Sequence, residues 1–299
     1  MIVHPRVESS HLAGNLLEDP SERDLFVYLP PGYEESDRRY PTAYLLQAFG
    51  TTVAEMVAPP TDGERWRPPI EDVLEPVFRQ GAADDVAIPD GWSRWGCGQW
   101  VDSPVTGNFE QYLLHDVVTA VDATYRTIPD GRSRGVFGFS SGGFGAWNVA
   151  SRNPDFFGAL AMLSGDSFLD MTHKFMPYKY FDSIWPEAPD GPIEGNIWSQ
   201  LVYDYSATYS PNPDRPPFYV DLPVAWPSGQ PALGSPAPQP LPRRSRDRPR
   251  AKREPRQPRR PSKRELPDGA PVAVAGPAQR RHLSTSQHGV SGNIPHSGA

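Results

Sequence analysis

Residues 135–147 read GVFGFSSGGFGAW, a short apolar strand followed by a turn of small residues and the start of a helix. The turn has the spacing Gly138-x-Ser140-x-Gly142. Glycine has no Cβ, so a strand and a helix can approach closely here and the serine can occupy a strained bend. The stretch therefore predicts a nucleophile elbow that presents Ser140, with an ordinary glycine turn as the alternative, because the bare pattern is common.

Strands and helices alternate on both sides of this turn. Apolar runs predict strands at 24–30, 43–47, 85–88 and 159–164, and apolar residues at helical spacing predict helices at 69–80, 109–125 and 143–152. Such alternation predicts an α/β fold with a mostly parallel sheet and helices on both faces. Sheets of this kind react at the carboxyl ends of their strands, so the loops after 47, 88 and 164 are expected near Ser140.

The composition divides the chain near residue 228. Residues 1–230 contain 15 Lys and Arg against 32 Asp and Glu, whereas residues 231–299 contain 14 against 4. All 33 aromatic residues lie in the first segment, and the second contains 13 prolines. The second segment has too little apolar surface to offset its backbone entropy. We therefore expect a folded domain at 1–228 and a disordered, basic, Pro/Arg-rich tail at 229–299.

Two explanations of the tail remain open. A reading-frame shift near residue 228 of a GC-rich gene would produce the abrupt change to Pro, Arg, Ala and Gly. A genuine disordered arm is the alternative, and its basic stretch at 243–264 would then bind phosphates electrostatically. The acidic folded domain itself is not expected to bind nucleic acid.

Other classes of protein are disfavoured by what the sequence lacks. Cys97 is the only cysteine, which rules out an internal disulfide, and it is expected to be a small loop hydrophobe rather than a nucleophile. No apolar stretch reaches membrane-spanning length and no secretory signal is visible, so a cytoplasmic location without a membrane partner is expected. No cofactor or metal is expected.

The segment Gly91–Trp100 is long and aromatic for a connection between a strand and a helix. Tryptophans in such a loop either line a substrate site or pack the loop onto its own domain. Both interpretations remain open for Trp92, Trp95 and Trp100.

Several motifs, taken together, resemble one branch of the α/β-hydrolases. They are Val27-Tyr-Leu-Pro-Pro-Gly-Tyr33, Arg39-Tyr-Pro-Thr-Ala-Tyr-Leu-Leu46, Ile88-Pro-Asp-Gly91, Asp102-Ser103, Gly107-Asn-Phe-Glu-Gln-Tyr112, Gly138-Phe-Ser-Ser-Gly-Gly143, Phe156-Phe-Gly-Ala159 and Ser164-Gly-Asp166. This esterase branch contains S-formylglutathione hydrolases, feruloyl esterases, enterochelin esterases and mycolyltransferases. The resemblance runs from about residue 8 to about residue 228. It implies an α/β-hydrolase fold, a small-molecule ester or thioester substrate, and a Ser–acid–His triad that forms an acyl-enzyme.

The resemblance also assigns the oxyanion hole. Ser140 matches the nucleophile, and the backbone N–H of Ser141 matches one oxyanion donor. The second donor would be the N–H of Phe49, where the family's His-Gly pair is replaced by Gln47-Ala48. If position 48 requires a positive φ, alanine strains the loop.

The triad acid and histidine have no counterpart in the sequence. The family supplies both after late strands, where this chain has its Pro/Arg-rich tail, and the last strands are expected to be absent. His282, His288 and His296 are expected to be solvated tail residues, and His115 an exposed helix residue; His4 and His11 precede the first clear strand. An improvised Asp166–His173 pair keeps the order of a hydrolase triad but leaves little room for two loops.

Three classes of function remain. The first is a serine esterase acting through Ser140, with activity weakened by the missing triad members, or an acyltransferase with the same residues. The second is a catalytically silent hydrolase-like domain. The third is a basic-tailed binder of nucleic acid or of an acidic partner, if the tail is in frame.

Overall fold

The computed structural model describes residues 1–58, 70–79, 85–166, 191–225 and 230–231. Within these ranges, seven strands form the main sheet, in the order β1-β3-β5-β4-β8-β9 with β2 beside β3. They are β1 (Ile2–Val3), β2 (Arg6–Glu8), β3 (Glu22–Tyr28), β4 (Thr42–Leu46), β5 (Asp85–Pro89), β8 (Arg134–Phe139) and β9 (Ala159–Leu163). Short pairs form β6 (Asp102–Ser103) with β7 (Gly107–Asn108), and β10 (Val224–Ala225) with β11 (Gln230–Pro231).

The sheet is parallel on the side that carries the elbow. Strands β5, β4, β8 and β9 pair in parallel, whereas β1, β2 and β3 are antiparallel to their neighbours. The register places Leu46, the last residue of β4, beside Gly138 of β8, and Phe139 beside Leu163 of β9. The carboxyl ends of β4, β8 and β9 therefore lie side by side, as the alternation of strands and helices predicts.

Helices cover both faces of the sheet. They are α1 (Val53–Val57), α2 (Ile70–Arg79), α3 (Phe109–Gln111), α4 (Val118–Thr124), α5 (Ser141–Arg152) and α6 (Ile197–Tyr209). The buried cluster on one face joins α3, α4 and α5 to the strands, and that on the other face joins α1 and α2. The predicted α/β fold with helices on both faces is confirmed. None of the helices among the described residues is long and apolar enough to cross a membrane.

The helix predicted at 109–125 contains a π-helical segment, Tyr112–Val117, between α3 and α4. Along the whole helix, the buried residues Phe109, Leu113, Val117 and Val121 are four positions apart. In an α-helix of about 3.6 residues per turn such a row drifts around the axis. The wider turn of a π-helix reduces that drift, which keeps the row facing the sheet.

Strand β9 lies at the edge of the described sheet. It pairs with β8 on one side, and no described strand pairs with its other side. Leu163 remains 53% exposed and Phe139 of the adjacent strand 59% exposed. The described part of the chain thus has an exposed apolar edge, and the absence of the last strands stays a prediction. The predicted boundary at 228 and the tail beyond residue 231 lie at or outside the limit of the described residues.

Candidate active site

Ser140 lies on a sharp bend between β8 and α5. Its backbone has φ 54° and ψ −126°, a conformation that costs a non-glycine residue about 1–3 kcal/mol. The bend is held by two backbone hydrogen bonds: the Ser140 N–H donates to Leu163 O at 3.0 Å, and Phe144 N–H donates to Ser140 O at 2.9 Å. The side chain of Ser140 does not cap the helix, and the residue is partly exposed. The strand, the tight bend and the helix occur in the predicted order.

The two glycines of the motif make this bend possible. A Cβ on Gly138 would lie 2.4 Å from the carbonyl carbon of Gly142, and a Cβ on Gly142 would lie 2.1 Å from Leu46 O. Neither position has room for any side chain. The motif spacing therefore has a steric cause here, in which the first turn of α5 is pressed against both β8 and the end of β4.

Ser141 and Phe49, the two predicted oxyanion residues, are in direct contact. The Phe49 N–H donates to Ser141 Oγ at 2.6 Å. Ser141 is the first residue of α5, where backbone N–H groups have no acceptor within the helix and the helix dipole favours negative charge. Both N–H groups are thus beside the bend that carries Ser140. The Phe49 N–H is already hydrogen-bonded to the Ser141 hydroxyl.

The replacement of His-Gly by Gln47-Ala48 does not strain this loop. Ala48 is not among the described residues with positive φ; that conformation falls instead on Gly50, at φ 74°. Gln47 is fully buried and its side-chain Nε2 donates to Thr51 O at 3.0 Å, which ties the loop to itself. The concern that alanine would require a strained backbone at position 48 is therefore resolved.

The aromatic loop Gly91–Trp100 packs inward at two of its three tryptophans. Trp100 is 0% exposed, and its indole N–H donates to Gln47 O at 3.1 Å. Trp95 is buried with its ring edge-on to Tyr203 of α6. Trp92 is only partly buried. Packing is thus the observed role of Trp95 and Trp100.

Two buried titratable residues meet here, Cys97 of the aromatic loop and Asp204 of α6. Burial raises the pKa of the Cys97 thiol well above its usual value, so the neutral form of this buried side chain is favoured, as predicted for a small loop hydrophobe. Burial also raises the pKa of the Asp204 carboxyl well above its usual range, although hydrogen bonds from Gln99 and Cys97 oppose this. Asp204 lies on α6 and is 0% exposed.

Asp166 follows β9 at the same edge of the sheet. Burial raises the pKa of its carboxyl, and the Tyr205 hydroxyl donates to Asp166 Oδ2 at 2.8 Å, which partly offsets that rise. The preceding Gly165 lies against the start of α5, since a Cβ on Gly143 would be 3.2 Å from Gly165 Cα. Asp166 is therefore close to the elbow, whereas its suggested partner His173 lies outside the described residues.

The described histidines have partners away from Ser140. His4 lies 3.2 Å from Asp24 and stacks on Phe26, and His11 lies 2.9 Å from Asp116. His115 is exposed, as predicted, with its ring 5.6 Å from that of His11. His282, His288 and His296 lie outside the described residues. Within the described ranges, no three His, Cys, Asp or Glu side chains cluster closely enough to hold a metal ion.

Sequence reasoning missed two features of this region. The Ser141 hydroxyl is a partner of the Phe49 amide, and Asp204 is a buried acceptor for the aromatic loop. The second had a detectable signal, because Asp204 stands between apolar and aromatic residues on α6, at a position where burial is expected. The first had none, since it joins residues 92 positions apart.

With this geometry established, the protein is an α/β-hydrolase-fold protein with a serine elbow. The sequence profile of the family described as "Putative esterase" matches residues 19–200, which is more than half of the chain. The chain therefore belongs to this esterase family.

Curated relatives and solved structures are similar to parts of this chain. The chain is 28% identical to Esterase Rv1288 of Mycobacterium tuberculosis over 201 residues, or 62% of this chain. It spans 38% of the length of that relative. Among solved structures, a ferulic acid esterase is 24% identical, covers 55% of this chain and 57% of its own, and superposes with a TM-score of 0.45. The S-formylglutathione hydrolase FrmB from Staphylococcus aureus is 14% identical, with 68% and 73% coverage and a TM-score of 0.43.

Proposed function

We propose that this protein is a serine hydrolase of small carboxylic esters or thioesters that forms an acyl-enzyme on Ser140. The observation that carries the proposal is the strained backbone of Ser140 at the start of α5, beside the amides of Ser141 and Phe49. A strained turn of this kind exposes a serine hydroxyl to substrate, while the amides beside it stabilise a developing oxyanion. Membership of the esterase family supports the class of substrate.

In the proposed reaction, the Ser140 oxygen attacks the carbonyl carbon and the carbonyl oxygen gains negative charge. That oxygen would replace the Ser141 hydroxyl as the acceptor for the Phe49 amide. It would also accept a hydrogen bond from the Ser141 N–H. The bond between the carbonyl carbon and the alcohol or thiol then breaks, and this group leaves with the proton that Ser140 lost. Water attacks the acyl-enzyme, which releases the carboxylic acid and returns a proton to the Ser140 oxygen. The two amides and the helix dipole favour the charged intermediate over the neutral ester.

Proton transfer is the weak step of this proposal. No described histidine is hydrogen-bonded to Ser140 or Asp166, so slow turnover is expected. Loss of triad members still leaves about 10³–10⁴-fold acceleration over water from the oxyanion hole and substrate binding. The pair of Asp166 with His173 stays a prediction, because it depends on a residue outside the described ranges.

A p-nitrophenyl acetate assay on the wild type and on Ser140→Ala tests the proposal. We expect faster hydrolysis by the wild type than by the variant, which keeps only the acceleration that substrate binding and the amides beside Ser140 supply. Equal rates would count against Ser140. Added methanol separates the acceptors, because an acyltransferase would form methyl acetate in preference to acetate.

A catalytically silent domain is the second candidate, favoured by the positions of the described histidines and by the uncovered edge at β9. It predicts a folded protein with no difference between the wild type and Ser140→Ala in the same assay.

A further inference from the structure

Asp204 is a fully buried carboxyl that accepts hydrogen bonds from the aromatic loop. Its Oδ1 accepts from the Cys97 N–H at 3.2 Å, and its Oδ2 accepts from the Gln99 side-chain amide. Among the ion pairs of the described residues, none includes Asp204. A buried carboxyl is costly, and these two hydrogen bonds, with a third from the Ser93 side chain of the same loop, are its compensation.

The part of the loop that Asp204 holds is strained. Gln99 has φ 52° and Trp100 has φ 57°, which makes two consecutive non-glycine residues in the left-handed region. Such conformations persist only where the surroundings hold them in place. Asp204 accepts hydrogen bonds from the first residue of this pair, Gln99, and from Cys97 two positions before it.

The loop in turn contacts the residues that form the oxyanion hole. Gly96 is pressed against the ring of Phe49, because a Cβ on Gly96 would lie 2.4 Å from Phe49 Cε2. Trp100 donates to Gln47 O, and its ring lies against Gly145 of α5, where a Cβ would be 2.5 Å away. One loop therefore packs against both the segment that carries the Phe49 amide and the helix that carries the Ser141 amide.

We propose that Asp204 is a positioning residue of the oxyanion hole, which acts by fixing the loop Gly91–Trp100 against Phe49 and the elbow helix. Among the described residues, no hydrogen bond or ion pair joins Asp204 to Ser140. The inference rests on the proposed function, because it assigns the Phe49 amide to the oxyanion. Its physical basis is that an oxyanion donor acts only when it is held in place before the reaction.

The test compares Asp204→Ala with Asp204→Asn and a matched control, Asp85→Ala. Asp85 is equally buried but lies at the first residue of β5, at the opposite end of the strands from Ser140. The measurement is the second-order rate of labelling of Ser140 by a fluorophosphonate, with thermal unfolding to confirm folded protein. We expect Asp204→Ala to slow labelling by about tenfold or more. The expected change for Asp85→Ala is less than about threefold, even if it unfolds at lower temperature.

Asp204→Asn provides the conservative rescue. The asparagine oxygen can accept a hydrogen bond from the Cys97 N–H. Its NH₂ group can donate to the Gln99 side-chain oxygen once the Gln99 amide group flips by about 180°. We expect labelling within about threefold of the wild type. If Asp204→Ala does not fold, Gln99→Ala removes one of the hydrogen bonds to Asp204 and is expected to slow labelling by a smaller factor. Folded Asp204→Ala or Gln99→Ala protein that is labelled at the wild-type rate would overturn the inference.

Amide hydrogen exchange separates this inference from the proposed function. Peptides that contain residues 47–51 should exchange faster in Asp204→Ala than in the wild type. Their exchange rate should be unchanged in Asp85→Ala. Wild-type protein without a label on Ser140 contradicts the proposed function, yet the exchange rates still decide whether Asp204 holds the Phe49 segment. Unchanged exchange at 47–51 contradicts the inference.

Discussion

Strands β5 and β9 are both five residues long and mainly apolar, yet every residue of β5 is buried and every residue of β9 is exposed. The difference comes from their neighbours. Strand β5 lies between β3 and β4 with helices on both faces, whereas β9 has only β8 beside it among the described residues. Burial of an apolar strand is therefore decided by the strands beside it and by the helices that cover its faces.

The elbow belongs to the well-packed side of this comparison. Ser140 is fixed by contacts of α5 with β8 and the end of β4, and the amides proposed as oxyanion donors come from the β4 loop and α5. Only one of the hydrogen bonds around Ser140, that to Leu163 O, involves β9. The geometry around the candidate nucleophile is thus established on the packed side even though the next strand is uncovered.

The largest effect is expected from Gly142→Ala. Its Cβ would overlap Leu46 O at 2.1 Å, which separates α5 from β4, so we expect a loss of about 3 kcal/mol or more in the free energy of unfolding and no labelling of Ser140. Gly135→Ala is the control on the same strand pair, because its Cβ meets ordinary contacts at 3.7 Å or more. Urea denaturation measures both, and equal stabilities would contradict the packed elbow.

A pair of truncations measures the β5 and β9 comparison directly. Ile88→Ala on β5 removes a side chain that is 1% exposed and should cost about 2–4 kcal/mol. Leu163→Ala on β9 removes one that is 53% exposed and should cost less than about 1 kcal/mol. The readout is chemical denaturation of both variants. A cost at Leu163 equal to that at Ile88 would mean that something covers the β9 edge in solution.

The buried carboxyl of Asp204 predicts a pH dependence of stability. Burial raises the pKa of this carboxyl in the folded state above its value in the unfolded state. The contribution of the carboxyl to folding stability is therefore complete below about pH 4, and it is lost as the pH rises through the pKa of the folded state. Asp204→Asn stays neutral at every pH. The free energy of unfolding of the variant, relative to the wild type, should therefore increase between pH 5 and pH 8. A difference that does not change with pH, or that decreases, would contradict a raised pKa at Asp204.

The smallest effect is expected from Ser141→Ala. The substitution keeps the backbone N–H of residue 141 and removes only the hydroxyl that accepts from the Phe49 amide. One neutral hydrogen bond is worth about 1 kcal/mol, so the rate of ester hydrolysis should change by less than about tenfold. Steady-state kinetics would show a much larger loss if the hydroxyl itself were the nucleophile.

Local signals in the sequence predicted the α/β sheet, its helices on both faces and the bend at Ser140. The glycine spacing was sufficient for the bend because its cause is local crowding between β8 and α5. The contacts around Phe49, Asp204 and Trp100 could not be predicted in the same way, because they join loops and helices far apart in the chain. The alanine at position 48 was predicted to be a source of strain if its φ were positive, and only the backbone of the loop decides that question.

The most direct test of the central claim is the site of modification by a fluorophosphonate, determined by mass spectrometry on the folded protein. The proposed elbow predicts a single adduct on the peptide that contains Ser140, with no adduct in Ser140→Ala. An adduct on another serine, or folded protein that carries no adduct at all, would contradict it.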